Sequence, residues 1–525
     1  MPKWLEKAVF YQIYPQSFYD TNADGIGDIQ GIIEKLDYVK DLGCNAIWIN
    51  PCFESAFEDA GYDVTDYYKI ASRYGTNADL KRLFEAARAR DIKVILDLVA
   101  GHTSIKHPWF KESMKSAENE YTNRYIWTSK DKDVKKLDKE AASKFEYAEG
   151  ALRAGKYMYN FYPIQPALNY GFANPEYPWQ LSVDHPDCRK TVEELKNIMK
   201  FWLDMGADGF RVDMAYSLVK NDTEDKTYTK KIWQNIRKML NEEYPEAVMI
   251  SEWFNPAQAI DAGFHADFYV QCNEGYKKLF IKEKGNKPFF SSEGEGDCSF
   301  FAEEYTEYYE YVRARGGYMS TPTGNHDTVR FSHTRTIEEM KIALAFVMAL
   351  PGIPMIYYGD EIGMRYLNLP SKEGGKYRTG SRTPMQWSKE KNAGFSEAEA
   401  SKLYLPIDKK HDRPTVANQE EDASSLLNFT RRIISLRKIN PALANNSEFK
   451  ILYAKENEYP LIFERFCQQQ RVVAMFNPSN KKCSARLGFD IGNNVIFHQG
   501  DFDIVSDSNN SLIKMSPQSF VFISY

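Results

Sequence analysis

Short apolar runs recur along this chain, and most are followed, after a polar loop, by a longer stretch whose apolar residues return every three or four positions. Val9 to Ile13 is the first run, and an amphipathic segment from Ile29 to Leu42 follows it. Ala46 to Ile49, Val94 to Val99, Gly209 to Val212, Val248 to Ser251 and Pro354 to Tyr358 read as further strands, apolar enough to be covered on both faces. Leu80 to Arg90, Cys188 to Met205, Lys230 to Glu243 and Ile337 to Ala349 carry the helical period. Strands alternating with helices predict a parallel sheet, here one that closes on itself. One interval breaks the repeat. From Thr103 to about Val183 the chain is rich in Tyr, Asn and Pro with weak periodicity, far longer than the ~2 to 6 residues of an ordinary strand-to-helix connection. It predicts an inserted subdomain over the barrel mouth. After a helix at Ser424 to Arg437, short alternating strands such as Val472 to Phe476 and Ser519 to Ile523 predict a small antiparallel β domain.

Composition narrows the function classes. With 43% hydrophobic and 27% charged residues the 525-residue chain is globular, and too long for one compact core. A net charge of −6 speaks against nucleic acid or an acidic membrane as partner. No apolar h-region follows the lysines of the N-terminus and no apolar run is long enough to span a bilayer. The expected location is the cytoplasm. Seven cysteines without CxxC spacing fit reduced thiols better than disulfides or zinc.

Several of these runs end on side chains suited to glycosidic chemistry: Val94 leads to His102, Gly209 to Asp213, Val248 to Glu252, and Tyr318 to Asp327. In a parallel barrel the C-terminal strand ends share one rim, so these residues would meet in one pocket. Arg211 and Asp213 lie two apart and point to the same side of their strand, where a guanidinium keeps a carboxylate ionised as a nucleophile requires. Glu252, partly desolvated in a barrel mouth, would gain the raised pKa of a proton donor. Asn325-His326-Asp327 adds an imidazole and a third carboxylate, the dense donors and acceptors that sugar hydroxyls need. A structural ion pair at Arg211 and Asp213, a capping role for Glu252, and a metal bound by His102, His326 and the carboxylates are the competing readings.

Asp97-Leu-Val-Ala-Gly-His102, Gly209-Phe-Arg-Val-Asp213, Glu252 and Asn325-His-Asp327 resemble, in order and spacing, the four sequence regions of the α-amylase superfamily, glycoside hydrolase family 13. Gln165-Pro-Ala-Leu-Asn169 resembles a fifth region, and Pro351 to Glu361 the segment around the eighth strand. With Arg382-Thr-Pro-Met-Gln-Trp387, the Gln-Pro form of that fifth region resembles the branch holding oligo-1,6-glucosidases, α-glucosidases, trehalose-acting enzymes and sucrose isomerases. The resemblance implies a TIM (β/α)8 barrel over 1–103 and 184–440, an inserted subdomain after strand 3 over 104–183, and a C-terminal β-sandwich over 441–525. It also implies a retaining, exo-acting α-glucosidase for short oligosaccharides or disaccharides, with Asp213 as nucleophile, Glu252 as acid then base, and Asp327 bonding sugar hydroxyls. The alternative is a glucosyl transferase or isomerase using the same residues. By the same resemblance His102, Arg211 and His326 line the subsite of the non-reducing glucose. Tyr62 forms its floor and Phe161 a wall, both of which could equally be packing aromatics. Asp59 is expected to pair with Arg382 and close the far end. Only a small α-glucoside is expected as partner, and no organic cofactor.

Asp20, Asn22, Asp24, Ile26 and Asp28 stand at alternate positions of one loop with Gly25 at the sixth, as in a calcium loop, although the twelfth position is Gly31 rather than Glu. Such a spacing suits Ca2+, and the resembled branch carries structural calcium or magnesium here; an Asx-turn loop without metal is the other reading. Gly101 and Ala167 depart from the Asn and Asp common in the family, which argues against a second metal between barrel and insertion. Ser251, Met214 and Thr328-Val329 also depart from the commonest forms and are expected around the aglycone side, leaving linkage preference open.

Overall fold

The computed structural model describes residues 1–525 apart from 283–286, 295, 374–377, 508 and the side chain of Asp131. Eight parallel strands close into a barrel in chain order: β1 (Phe10–Ile13), β2 (Ala46–Ile49), β3 (Lys93–Val99), β4 (Gly209–Asp213), β5 (Val248–Ser251), β6 (Ala266–Phe268), β7 (Tyr318–Pro322) and β8 (Ile353–Tyr357). Closure is made at β1, where Phe10 faces Ala46 on one side and Met355 on the other. Strand alternation then sorts the side chains. Phe10, Trp48, Ile95, Ile250, Phe268 and Met355 fill the barrel interior, while Tyr11, Ile47, Leu96, Phe210 and Ile356 point outwards into the core beneath the helices. Gly209 opens β4 at φ +144°, and a Cβ there would lie 2.2 Å from the Val248 carbonyl oxygen, so only glycine lets β4 and β5 approach this closely.

The outer layer includes α1 (Ile29–Glu34), α2 (Leu36–Leu42), α3 (Asn77–Arg88), α4 (Pro186–Met205), α5 (Thr227–Glu243), α6 (Ser299–Ala314), α7 (Ile337–Ala349) and α8 (Leu426–Ile439). The segment from Ile29 to Leu42 is two helices rather than one, broken where Lys35 leaves helical geometry. Reciprocal capping boxes, Thr76 with Asp79 and Thr336 with Glu339, start α3 and α7. Strand β6 and helix α6 are additions to the elements expected from the periodicity.

The stretch after β3 folds as an insertion around Ile126, Val134, Phe145, Ala167 and Phe172. It is tied to the barrel mouth by bridges between His102 and Ala167 and by the Thr103 N–H, which donates to the Pro166 carbonyl. The chain ends in two antiparallel sheets built from β9 (Glu448–Tyr453), β10 (Leu461–Phe466), β11 (Arg471–Asn477), β12 (Cys483–Leu487), β13 (Val495–Gln499), β14 (Phe502–Asp507), β15 (Asn510–Met515) and β16 (Ser519–Ser524). Five strands run in the order β9-β10-β11-β16-β13 and three in the order β12-β15-β14. Ile462, Val473, Ile513 and Met515 pack between the sheets. The other face of the larger sheet, carrying Phe463, Phe476 and Phe522, joins the core around the barrel. Buried Arg437 and Arg465 seal this seam by donating to carbonyls at the end of α7, among them Leu350 and Ala349, where the helix dipole favours a cation. Among the described residues no helix is long and apolar enough to cross a membrane.

Candidate functional site

Inward-facing positions at the C-terminal ends of the barrel strands turn polar together. Gln12, Asn50, Asp97, Arg211, Asp213 and Glu252 follow the apolar interior on β1 to β5, and His326 and Asp327 follow β7. At their centre the Arg211 guanidinium, 2% exposed, bonds three carboxyls: Nη1 lies 2.8 Å from Asp97 and 3.1 Å from Asp213, and Nη2 lies 2.8 Å from Glu252. One cation cannot hold three buried carboxylates ionised, so protons must be shared among them. Burial raises Glu252 most, to about 8; Arg211 opposes the shift, and the charges of Asp213 and Asp327 add to it. Asp213 is raised to about 6, by burial first and the Asp97 charge next, against Arg211. The arrangement therefore separates a carboxyl that keeps its proton from a neighbour that gives it up.

Glu252 is further fixed by the Met214 N–H, which donates to its Oε2 at 2.9 Å. Met214 reaches that position with φ 41° and ψ 44°, in the left-handed region that a side-chain-bearing residue rarely enters. On the opposite wall, Tyr62 stacks on His326 at 5.5 Å between ring centres, its hydroxyl 2.6 Å from His326 Nε2 and 3.0 Å from Asp97 Oδ2. Gln12 Nε2 donates to Asn50 Oδ1 and lies 3.0 Å from His326 Nδ1, which fixes the ring from behind. Burial, with Arg382 and Arg211 nearby, pushes His326 well below the ordinary imidazole range in spite of Asp327, so the ring is neutral. For Asp327 burial works upward, but the guanidinium groups of Arg378, Arg382 and Arg211 oppose it, and the carboxyl lies below the usual carboxylate range.

The far end of the pocket differs from expectation. Arg382 does not pair with Asp59; its Nη2 meets Asp327 at 2.9 Å and its Nη1 meets Glu373 at 3.2 Å. Arg378, one turn earlier in the loop after β8, takes the place at the far wall: it lies 3.7 Å from Asp59 and 3.2 Å from Asp327. Asp59 is also held by Gln165 of the insertion, whose amide donates at 2.8 Å. The physical reason is reach. Arg382 is fully buried, with its Nε bonded to the His326 carbonyl, so its fork is committed to the floor of the loop. The motif around Arg382 marks it in the sequence, whereas Arg378, four residues earlier, carries no periodic signal.

Together these side chains enclose a cavity of about 260 Å³ lined by Asp59, Tyr62, His102, Phe161, Asp213, Glu252, Asp327 and Arg378, with Met214, Tyr216, Phe254 and Gln165. That is below the roughly 300–1,000 Å³ of sites for drug-sized ligands and suits a single sugar ring. Phe161 is 45% exposed at the rim, so it is no core residue. His102 contacts the Tyr62 carbonyl through Nε2 and Asn160 through Nδ1, and burial lowers it to about 4. Asn160 in turn accepts from Lys220, a half-buried lysine lowered to about 7 by desolvation. Its amide nitrogen would lie 2.7 Å from a Cβ at Gly101, so the small residue there makes room for it. Ser251 is not on the aglycone side: it is fully buried and faces β6.

The Asp20 loop curls through Asx-turn bonds. Asp20 accepts from the N–H groups of Asn22, Ala23 and Gly25, Asn22 from Asp24, Asp24 from Ile26, and Asp28 from Thr21 and Gly31. The side-chain atoms it could offer a ligand, on Asp20, Asn22, Asp24 and Asp28, are the oxygens that already accept these bonds, the chemistry of a hard cation. Among the described residues no group of three or more His, Cys, Asp or Glu stands ready to hold a metal.

Comparison with known proteins identifies the family. Residues 12–446 match the family described as alpha amylase, catalytic domain. The chain is 31% identical over 486 residues to the trehalose synthase/amylase TreS of Mycolicibacterium smegmatis, covering 84% of this chain and 77% of the relative. It is 29% identical over 543 residues to the oligo-1,6-glucosidase of Parageobacillus thermoglucosidasius, covering 92% of each. Among solved structures, trehalulose synthase MutB superposes with a TM-score of 0.79 at 23% identity, over 99% of this chain and 100% of that one, a likeness of fold.

Proposed function

The chain belongs to the α-amylase family of glycoside hydrolases, and from that premise we propose that it is a retaining, exo-acting α-glucosidase for disaccharides or short oligosaccharides. Asp213 attacks the anomeric carbon as the bond to the aglycone oxygen breaks, and that oxygen takes the proton of Glu252. Water then gives a proton to Glu252 and its oxygen replaces the Asp213 ester at the same carbon. The observation that carries this reading is Arg211: its two terminal nitrogens bond Asp213 and Glu252, which supports the short carboxyl separation of about 5–5.5 Å that retention requires. Asp327, ionised and flanked by His326, Arg378 and Arg382, suits the hydroxyls of the ring that flattens in the transition state. The wall of Asp59, Arg378 and Gln165 supports cleavage from chain ends, because a longer glycone would run into it.

Transfer of glucose to a sugar is the second reading, favoured by the trehalose synthase likeness and by the mouth of Met214, Tyr216, Phe161 and Phe254, against which an acceptor could displace water. Product chromatography with maltose, isomaltose, trehalose and sucrose separates the two. Free glucose as main product supports the glucosidase, new disaccharides support the transferase, and no change with any of the four overturns both. A cytoplasmic setting accords with seven unpaired cysteines.

We also propose that the Asp20 loop binds Ca2+ or Mg2+ through Asp20, Asn22, Asp24, Asp28 and the Ile26 carbonyl. A cation present at 100 times its Kd would stabilise the fold by about 2.7 kcal/mol. Protein stripped with EGTA is expected to melt several degrees lower than protein in millimolar CaCl2. Superimposable melting curves with EGTA, Ca2+ and Mg2+ would refute the site.

A further inference from the structure

We propose that Asp267, in the middle of β6, is the positioning residue for Glu252; the inference rests on the roles given above to Asp213 and Glu252. In the barrel register Asp267 stands opposite Ser251, the residue just before Glu252. A single carboxylate oxygen, Oδ1, accepts from the Ser251 hydroxyl at 2.7 Å and from the Trp253 N–H at 3.0 Å. The two donors belong to the residues immediately before and after Glu252. Because side chains alternate along a strand, Ser251 and Trp253 lean away from the pocket while Glu252 leans into it. The clamp therefore grips the peptide that carries the acid without touching substrate.

The grip has a counterpart on the other side. The Glu252 N–H donates to the Val212 carbonyl at 2.9 Å, and the Glu252 carbonyl accepts from Ala215 at 3.1 Å, so the strand of the nucleophile holds one edge of this peptide and β6 holds the other. Asp267 is fully buried, and its second oxygen, Oδ2, has no hydrogen-bond partner among the described residues. A carboxylate buried without a cation is costly and would be replaced to advantage by an apolar residue if only packing were at stake. What it gains is two hydrogen bonds from one oxygen to the residues on either side of Glu252. General acid catalysis repays such rigidity, since a displacement of about 1 Å can cost roughly 10²-fold in rate.

The test compares two substrates: α-glucosyl fluoride, whose leaving group needs no proton, and the disaccharide that the wild-type protein cleaves fastest. The readout is kcat/KM, which reports formation of the glucosyl-enzyme alone. Asp267→Ala is expected to lower the disaccharide value by about 10²-fold and the fluoride value by less than about threefold, and Ser251→Ala to move the ratio the same way by a smaller factor. Should Asp267→Ala show no cooperative melting transition, Ser251→Ala and Asp267→Asn decide. Equal losses on both substrates, or no loss on either, in a folded variant would overturn the proposal. A wild-type protein that turns over neither substrate would instead overturn the glucosidase reading, and this inference with it.

Discussion

Asp213→Asn is expected to lower kcat for any α-glucoside by about 10⁴-fold or more, while the protein keeps its melting temperature within a few degrees. The amide is nearly the same shape as the carboxylate but cannot form a stable glucosyl ester. Arg211 keeps its partners on Asp97 and Glu252, so the substitution removes one contact of a cluster rather than leaving a buried charge alone. It also relieves the crowding of three carboxyls, which limits any loss of stability. The measurement is single-turnover kinetics with α-glucosyl fluoride beside a thermal melt. Activity within tenfold of wild type would remove Asp213 from the mechanism, and unfolding would show that its ion pair is needed for the fold.

Glu252→Gln is expected to cost about 10²–10⁴-fold on disaccharides and to change the shape of the pH profile. In the proposed mechanism the productive state has Asp213 ionised and Glu252 protonated, so wild-type kcat/KM is expected to rise through about pH 6 and fall through about pH 8, the values to which burial lifts the two groups. Both limbs belong to the coupled pair. Glu252→Gln removes the basic limb. Stability follows the same proton. Because the folded-state value of Glu252 lies above its ordinary 4.5, its stabilising contribution is complete below about pH 4.5 and lost as pH rises through about 8. The Gln variant is thus expected to lose less melting temperature than wild type between pH 5 and pH 9. A profile that keeps its basic limb in the variant would assign that limb to another group.

Most of the barrel could be read from the chain because its strands are near-continuous apolar runs, as strands covered on both faces must be. Strand β6 escaped for the converse reason: Ala266–Phe268 is three residues long with an aspartate at its centre, too short and too polar to register as a buried strand. That aspartate is the residue that faces Ser251, so the same feature hid both the strand and the second support of the acid. Helix α6 was masked by tyrosines, which blur the boundary between apolar and polar faces. In the site, positions at strand ends were legible because alternation and order fix where they point. Arg378 is not, since it stands just before the 3-10 turn Thr379–Ser381 in the loop after β8, where no period fixes its direction. Ser251 lies off the aglycone side because its partner is a neighbouring strand, and a departure from a common motif does not by itself mark substrate contact.

Barrel closure between β1 and β8 has a consequence for biosynthesis. Phe10 must wait for Met355 before its second edge is covered, and at ~5–20 residues per second that wait lasts on the order of tens of seconds on the ribosome. Throughout it, an apolar strand presents unpaired backbone groups, a template for the wrong neighbour. The sugar pocket is later still, since its far wall needs Arg378. Nascent chains are therefore expected to depend on chaperone protection long after their first strands emerge, and to gain affinity for substrate only when synthesis is well past the barrel's last strand.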